Sequence, residues 1–486
     1  MHPKRWRCPV ILEDDVVFSS LEFLCWFLPF FLAIYFILPP RARNVCLFAF
    51  SVVFYAYGTL DQIGYLFLLL GSVLVNYLFG RLIAAYPPKS RAARAALAAG
   101  VVFDMGALFY FKYAAFTAKN LNVLLRFLPG SPALPVREIL LPIGISFFTF
   151  QAVSYLIDVY RGDAPAEKSP LLLSTYILMF PQLIAGPIVR YTDVRWALRQ
   201  RHVTVHDIGT GIAYFIGGLA AKVLIANRLG GLWSAVGGIG YESLSVPLAW
   251  MGIAAFSLQL YYDFYGYSLM AIGLGRMIGF SFPENFRHPY AACTMTDFWR
   301  RWHITLGTWF REYVYIPLGG SRCSRGRMVF NTLCVWLLTG LWHGAEWNFL
   351  LWGLFLFLIL TAEKTTGLGK RLERSRVAGH LYMLLLIPLS WLLFAVSDPT
   401  QLLQYAGRLI GIGGENVFAR DFIDYGRQYG PFLLLGLVCC TGLPERAARA
   451  LRRRPAVLGI GLLVLLAASV YCIYQGMNDP FLYFRF

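Results

Sequence analysis

Stretches of about twenty residues without a charged side chain recur along this chain. Residues 23–38, 62–80, 170–189 and 455–478 are four of them. A helix needs about 20 apolar residues to cross the hydrocarbon of a bilayer. One large soluble core is the other interpretation, but several such windows in one chain disfavour it. The pattern therefore predicts an all-α polytopic membrane protein.

Composition supports this class and argues against nucleic-acid binding. Hydrophobic residues make up 58% of the chain and charged residues 14%, whereas soluble domains have about 25% charged residues. The formal net charge of +17 comes from Lys and Arg in short loops between apolar runs. That distribution is typical of the cytoplasmic side of an inner-membrane protein, so we expect membrane lipid as a partner and no nucleic acid.

Apolar segments can be distinguished at fourteen places, and several are short or interrupted by Gly and Pro. We predict about eleven full crossings, with the remainder re-entrant. The segments are 17–38, 44–60, 62–84, 95–115, 138–160, 170–189, 208–228, 245–263, 264–280, 328–343, 346–362, 378–397, 430–444 and 455–475.

Four clusters of Lys and Arg set the predicted orientation. Two clusters follow the first and the third segment, and two precede segment 378–397 and the last segment. Placing them in the cytoplasm leaves both termini and the loop 398–429 outside a bacterial inner membrane. The first apolar run lacks a small-residue cleavage site, so we interpret it as an anchor. Residues 1–15 are predicted as an N-terminal extension preceding one membrane domain, 16–486.

Residues 281–327 break the apolar pattern and predict a cytoplasmic or re-entrant element. This stretch is polar, basic and aromatic. If it is helical, Arg300 and His303 share a face at i,i+3, and Trp299 and His303 share it at i,i+4. An interfacial helix anchored by Trp and Arg is one interpretation. A basic, aromatic wall that grips an anionic or thioester-bearing donor is the other.

His343 stands between two apolar runs, in the sequence Leu341-Trp342-His343-Gly344. An ionisable residue at bilayer depth is energetically expensive and is a functional candidate by default. A histidine that is merely hydrogen-bonded to a neighbouring helix is the alternative.

Other chemistries lack their motifs. The chain has no H-E-x-x-H, no G-x-S-x-G and no P-loop, which argues against zinc, an α/β-hydrolase elbow and ATP-driven transport. The nine cysteines include no C-x-x-C pair, so we expect packing residues and no metal site. Asp104, Asp158 and Asp263 leave a proton-coupled transporter or flippase open, although no internal repeat is visible.

Several long motifs, in one order, resemble the membrane-bound O-acyltransferase (MBOAT) superfamily, in particular its bacterial branch typified by the alginate O-acetyltransferase membrane subunit. The matching stretches are residues 141–147, 180–188, 259–264, 282–286, 297–306, 315–320 and 339–349.

The resemblance implies a ring of tilted helices with re-entrant segments around a central funnel. It implies transfer of an acyl group, expected to be acetyl, from a cytoplasmic thioester donor such as acetyl-CoA or an acyl carrier, with no bound cofactor. The acceptor would be a secreted or membrane-anchored partner acetyltransferase that modifies an extracytoplasmic polysaccharide such as alginate. Transfer of D-alanine to teichoic acid is the alternative within the family.

The motifs place the family's membrane histidine at His343 and its second histidine at His303. We hypothesise that His343 is the general base and that His303 orients the donor or polarises its carbonyl. The expected donor- or substrate-binding residues are Trp299, Arg300, Arg301, Trp342, Asn348 and Asn285. A scaffold that only anchors a secreted enzyme remains a rival interpretation.

Overall fold

The computed structural model describes residues 18–128, 132–414, 417–477 and 481–482. Within these residues all regular secondary structure is helical, which confirms the predicted all-α class. The predicted extension 1–15 lies outside the described residues. The helices are taken below in three groups along the chain.

The N-terminal group presents large apolar side chains, such as Phe67, Leu74 and Val102, on its outer surface. A π-helical turn, Phe109–Tyr113, joins the last two helices into one apolar helix of 35 residues. The helices of this group are α1 (Leu28–Ile37), α2 (Arg43–Tyr57), α3 (Gly64–Ala85), α4 (Arg91–Leu108) and α5 (Ala114–Leu125).

The central group contains a long buried helix, α12, in which most of the 32 residues are buried. The helices of this group are α6 (Ile145–Arg161), α7 (Pro170–Leu178), α8 (Phe180–Leu183), α9 (Tyr191–Arg199), α10 (Val205–Ala220), α11 (Asn227–Ile239), α12 (Val246–Met277), α13 (Met295–Arg301) and α14 (Ile304–Phe310).

The C-terminal group begins with a helical hairpin and contains one sharply bent pair, α20 and α21, whose axes differ by 72°. The helices of this group are α15 (Arg325–His343), α16 (Trp347–Thr365), α17 (Leu368–Arg374), α18 (Arg376–Ala395), α19 (Pro399–Leu409), α20 (Asp421–Cys439), α21 (Leu443–Leu451) and α22 (Pro455–Tyr474).

In the described part of the chain, six helices are long and apolar enough to cross a membrane, and the bent pair α20–α21 raises this to seven if it is one span. The six are α3, α4–α5, α10–α11, α16, α18 and α22. The chain is thus a multi-pass membrane protein. The number is below the eleven predicted because some apolar segments form short helices, such as α2 with 15 residues and α6 with 17.

Three of the predicted segments were divided wrongly. Segments 245–263 and 264–280 are one continuous helix, α12, because the Asp263 carboxylate between them is paired inside the protein and does not end the helix. Segment 170–189 is not one span, since α7 ends before Met179. Pro181 lacks the N–H that a continuous helix would need at that position.

The two predicted polar regions contain more helix than expected. Residues 281–327 hold α13 and α14 and fold into the interior, where Phe286 and Phe298 are buried. Residues 398–429 hold α19 and the start of α20, and the Tyr405 hydroxyl donates to a carbonyl of α12 at 2.7 Å. The side of the membrane on which each region lies stays a prediction.

Helices α10 and α12 pack with their backbones in direct contact through two pairs of glycines. A Cβ at Gly218 would overlap the carbonyl oxygen of Gly266, and a Cβ at Gly266 would overlap that of Gly218. Gly211 and Gly273 show the same reciprocal fit. Small residues on one helix face permit such close approach in membrane proteins. This antiparallel contact brings the end of α10 against the middle of α12.

We expect Gly218→Ala to destabilise the protein by about 1–3 kcal/mol, because the added methyl group must push the two backbones apart. Gly217→Ala is the matched control, since a Cβ there meets nothing within 4 Å and alanine favours the helix by up to about 1 kcal/mol. Thermal unfolding in detergent, followed by size-exclusion fluorescence, measures both. Equal melting temperatures for the two variants would refute the close contact.

Candidate active site

His343 is the last residue of α15, at the narrow turn into α16. The turn is narrow because glycines stand where the two helices meet. A Cβ at Gly344 would overlap the ring of Phe349, and a Cβ at Gly340 would overlap the Phe349 carbonyl oxygen. The glycine that follows the histidine in the motif is therefore required for α16 to return alongside α15.

The C-terminal end of α15 is held by a lysine from the N-terminal group. The Lys112 ammonium donates to the carbonyl of Trp342 at 2.5 Å and to that of His343 at 3.2 Å. The Tyr113 hydroxyl donates to the Leu341 carbonyl at 2.7 Å. The last carbonyls of a helix lack partners within it and favour a nearby cation. These bonds therefore fix the helix turn that carries His343.

Aromatic rings surround the buried imidazole of His343. Its ring centroid lies 5.0 Å from Trp342, 5.2 Å from Trp352 and 5.2 Å from Phe394, each at an edge-to-face angle of 80° or more. Edge-to-face packing is a favoured arrangement of such rings. The contacts restrict the orientation of the imidazole in a largely apolar setting.

His303 lies between two short helices, not within one. Helix α13 ends at Arg301, and His303 caps α14 in the left-handed region at φ 44°. The expected helical face shared with Arg300 is therefore wrong. A left-handed residue other than glycine costs about 1–3 kcal/mol and is over-represented at functional sites. The break leaves Arg300 exposed while His303 is buried.

Asn285 determines which nitrogen of His303 carries the proton. The Asn285 amide nitrogen donates to the Gly186 carbonyl at 3.3 Å and the Ser268 hydroxyl at 3.2 Å. Its oxygen therefore faces His303 Nδ1, 3.1 Å away, and Nδ1 must be the donor. In the neutral imidazole Nε2 then carries a lone pair. Nε2 is buried and has no hydrogen-bond partner among the described residues.

The start of α13, which leads to His303, is anchored by a buried carboxylate from α16. Glu363 accepts the backbone N–H of Met295 at 2.7 Å and that of Thr296 at 2.8 Å, and also the Thr296 hydroxyl at 2.6 Å. A negative charge at a helix N-terminus is stabilising. Helix α16 therefore contacts both histidine-bearing segments.

Trp342 contacts both histidines, and His343 also lines a neighbouring cavity. The Trp342 ring lies 5.8 Å from His303 and 5.0 Å from His343. Phe264 packs on His303 at 4.7 Å and also lines the cavity. The lining of this cavity consists of Leu260, Asp263, Phe264, Trp302, His343, Trp391, Phe394, Phe481 and Leu482.

An ion pair beside this cavity was missed at the sequence level. Lys222 and Asp263 approach to 2.6 Å with both side chains 3% exposed, and Lys222 also donates to Asn227 at 3.0 Å. Like Lys112, Lys222 lies in a π-helical turn, Ala221–Ala226, a feature frequent at functional sites. A lysine in the apolar segment 208–228, with an acid in α12, was the available signal.

The predicted donor-binding arginines lie away from the cavity lining. Arg300 is exposed. Arg301 forms an i,i+4 ion pair with Asp297 at 2.8 Å. The structure thus keeps these guanidinium groups outside the apolar interior, and only Arg300 has an exposed side chain.

The remaining predicted residues hold the aromatic interior together. Trp299 packs edge-to-face with Trp336, Trp352 and Trp391 at 4.9–6.2 Å. The Asn348 amide donates to the Phe394 carbonyl at 3.0 Å, which ties the start of α16 to α18. Of the predicted set, the structure brings His343, His303, Trp342 and Asn285 together.

In the described ranges no three His, Cys, Asp or Glu side chains gather in a way that could hold a metal ion. The eight cysteines among the described residues are free thiols.

Sequence comparison agrees with this arrangement. A family model described as MBOAT, membrane-bound O-acyltransferase family, matches residues 168–394, which include both histidines and Asn285. The chain is similar to a probable alginate O-acetylase of Azotobacter vinelandii, with 41% identity over 79% of this chain and 76% of the relative. It is 32% identical to a peptidoglycan O-acetyltransferase of Helicobacter pylori, over 82% of this chain and 80% of the relative.

A teichoic acid D-alanyltransferase of Bacillus subtilis is a more distant relative, with 28% identity over 47% of this chain and 60% of its own length. The extent of the match to the O-acetylases leaves no doubt about the family. This chain is a membrane O-acyltransferase and belongs to the membrane-bound O-acyltransferase family.

Proposed function

We propose that this protein moves an acetyl group from a cytoplasmic thioester donor, acetyl-CoA, across a bacterial inner membrane for O-acetylation of an extracytoplasmic polysaccharide such as alginate. The observation that carries the proposal is the convergence of His343 and His303 on Trp342 beside an interior cavity. The identity of 41% to a probable alginate O-acetylase supports acetyl as the group and alginate as the polysaccharide.

His343 is the proposed general base. Transfer from a thioester to a hydroxyl requires a group that accepts the hydroxyl proton, and a neutral imidazole suits this role near neutral pH. Of the two histidines, His343 is the one that lines the cavity. Lys112 holds the backbone of His343 in place from a different helix, so the base is preorganised.

His303 is proposed to orient a reacting group. Its Nε2 lone pair can accept a hydrogen bond, whereas polarisation of a carbonyl requires a donor. With Nδ1–H committed to Asn285, only the protonated ring could donate from Nε2. The geometry therefore favours orientation of the hydroxyl or donor over polarisation of the thioester carbonyl.

The donor phosphates are proposed to be attracted at the exposed end of α13. Arg300 is exposed there, and guanidinium groups bind phosphate strongly. Arg301 already pairs with Asp297, so we assign Arg300 the larger contribution. Trp299, Trp342 and Asn348 would shape the interior through the packing described above rather than contact the phosphates.

The acceptor on the outer side is proposed to be a secreted or membrane-anchored acetyltransferase, with both termini extracytoplasmic. Both termini on one side require an even number of crossings. Twelve, close to the predicted eleven, would follow if α1, α2, α6, α12 and α15 also traverse the bilayer, in addition to the six spans and the bent pair α20–α21. At 1.5 Å per residue, the 32 residues of α12 are long enough. Such an arrangement would surround the cavity with a ring of helices.

The rival interpretations are less well supported. Family membership assigns acyl transfer, not transport, to this chain. The D-alanyltransferase relative matches 47% of the chain, against 79% for the alginate O-acetylase relative. A scaffold without catalytic function remains distinguishable by experiment, because it predicts that removal of His343 has no effect.

We expect His343→Ala to lower polysaccharide acetylation by at least about 10²-fold, since positioned bases typically contribute about 10²–10⁴-fold. The acetyl content of polysaccharide from cells whose native copy is deleted measures this, normalised to folded protein in the membrane. His202→Ala, at an exposed histidine in a loop, is the control and should behave as wild type. Wild-type acetylation by a normally inserted His343→Ala protein would refute the assignment.

We expect Asn285→Leu to reduce turnover by about 10²-fold, because a freely rotating or differently protonated His303 loses its orientation and small misplacements cost this much. Asn331→Leu is the matched control. Asn331 is also fully buried, but it bonds Gly320 and Arg327 near the other end of α15 from His343. Turnover per folded protein separates the two variants, and equal turnover would contradict the role of Asn285.

A further inference from the structure

The buried pair of Lys222 and Asp263 joins two helices next to the cavity. Lys222 lies in the π-helical turn after α10, and Asp263 lies in the middle of α12. Their side chains are 2.6 Å apart and 3% exposed. The glycine contacts between α10 and α12 bring these two positions together.

Asp263 also reaches a third part of the chain. Its Oδ2 atom accepts the backbone N–H of Leu482 at 2.7 Å. The preceding residue, Phe481, stacks on Tyr267 of α12 at 4.8 Å. Phe481 and Leu482 both line the cavity that His343 lines. One carboxylate therefore connects the ion pair to a wall of this cavity.

The same region has a second link to the C-terminal part of the chain. The Asn227 amide donates to the Met477 carbonyl at 3.1 Å, and its oxygen accepts from Lys222. Lys222 thus binds both Asp263 and Asn227, and each of these two partners binds the backbone of a residue that follows α22.

We propose that Lys222 and Asp263 are positioning residues for acyl transfer, which hold the backbone of Leu482 in place as a wall of the cavity at His343. The inference rests on the proposed function, since it assigns the cavity to acyl transfer. Neither residue is proposed to exchange a proton with substrate.

The energetics favour a positioning role over a purely stabilising one. A buried ion pair pays a large desolvation penalty, and apolar residues of similar size often stabilise a protein as well or better. The carboxylate, in contrast, offers an acceptor for a backbone N–H that would otherwise be buried without a partner. Apolar side chains in place of Lys222 and Asp263 could therefore replace the ion pair, but they could not accept the hydrogen bond from Leu482.

Two double variants isolate that hydrogen bond. Lys222→Met with Asp263→Asn and Lys222→Met with Asp263→Leu both remove the ion pair and leave no buried charge. Asparagine keeps an oxygen that can accept the Leu482 N–H, whereas leucine does not. Because displacement by about 1 Å can cost about 10²-fold, we expect kcat to be near wild type in the first and about 10²-fold lower in the second.

The kinetic readout is kcat per folded protein, with acetyl-CoA concentration varied so that KM is obtained separately. A merely structural role would reduce the amount of folded protein and leave kcat per folded protein unchanged. The control is Asn76→Leu with Asp104→Leu. This pair is buried, joined at 2.8 Å, and lies between α3 and α4, away from the cavity lining, so kcat should not change.

A second measurement does not depend on the proposed function. Hydrogen–deuterium exchange of the Leu482 amide should be slow in wild type and in the asparagine double variant, and fast in the leucine double variant. Equal exchange and equal kcat in the two double variants would overturn the proposal. Fast exchange in wild type would overturn it even if neither double variant folds.

Failure of the proposed function gives a different result. If wild type transfers no acetyl group but the exchange pattern is as expected, the acetyl assignment is wrong and the role of the pair in holding Leu482 stands. If wild type is active and the two double variants do not differ, the role of the pair is wrong and the acetyl assignment stands.

Discussion

Polar groups inside this protein must be paired by other protein groups, because neither hydrocarbon nor a tightly packed apolar core provides hydrogen-bond partners. In the described structure several of these groups are paired through contacts between different helices. Lys112 binds the end of α15, Asn285 binds His303, Glu363 binds the start of α13, and Lys222 binds Asp263. Each of these contacts lies at or next to a part of the candidate active site.

The two histidines consequently have distinct surroundings. His303 is fixed through one ring nitrogen by an amide oxygen. His343 is restrained by aromatic rings and by the hydrogen-bonded end of its own helix. Trp342 contacts both imidazoles. Such a division supports the proposal of one histidine for proton transfer and one for orientation, since an amide oxygen holds one ring and aromatic contacts hold the other.

Much of the fold could be predicted from the sequence because apolar length is a local property. The helices α3, α16, α18 and α22 lie close to the segments predicted for them. Errors arose where tertiary contacts override local pattern. Two segments were predicted to meet at Asp263, but α12 continues through this residue, whose carboxylate is paired. One helix was considered for the stretch around His303, but the left-handed residue there divides it.

The sequence by itself determined the membrane class, the helical class and the positions of both candidate histidines, because runs of apolar residues and ordered motifs are readable without coordinates. Only the tertiary structure decided that Lys112, Lys222 and Glu363 belong to the same region. Their partners lie on other helices, from about 40 to more than 200 residues away in the chain. Which charges meet in a packed interior depends on helix contacts, such as the glycine pairs of α10 and α12, and no local pattern specifies those.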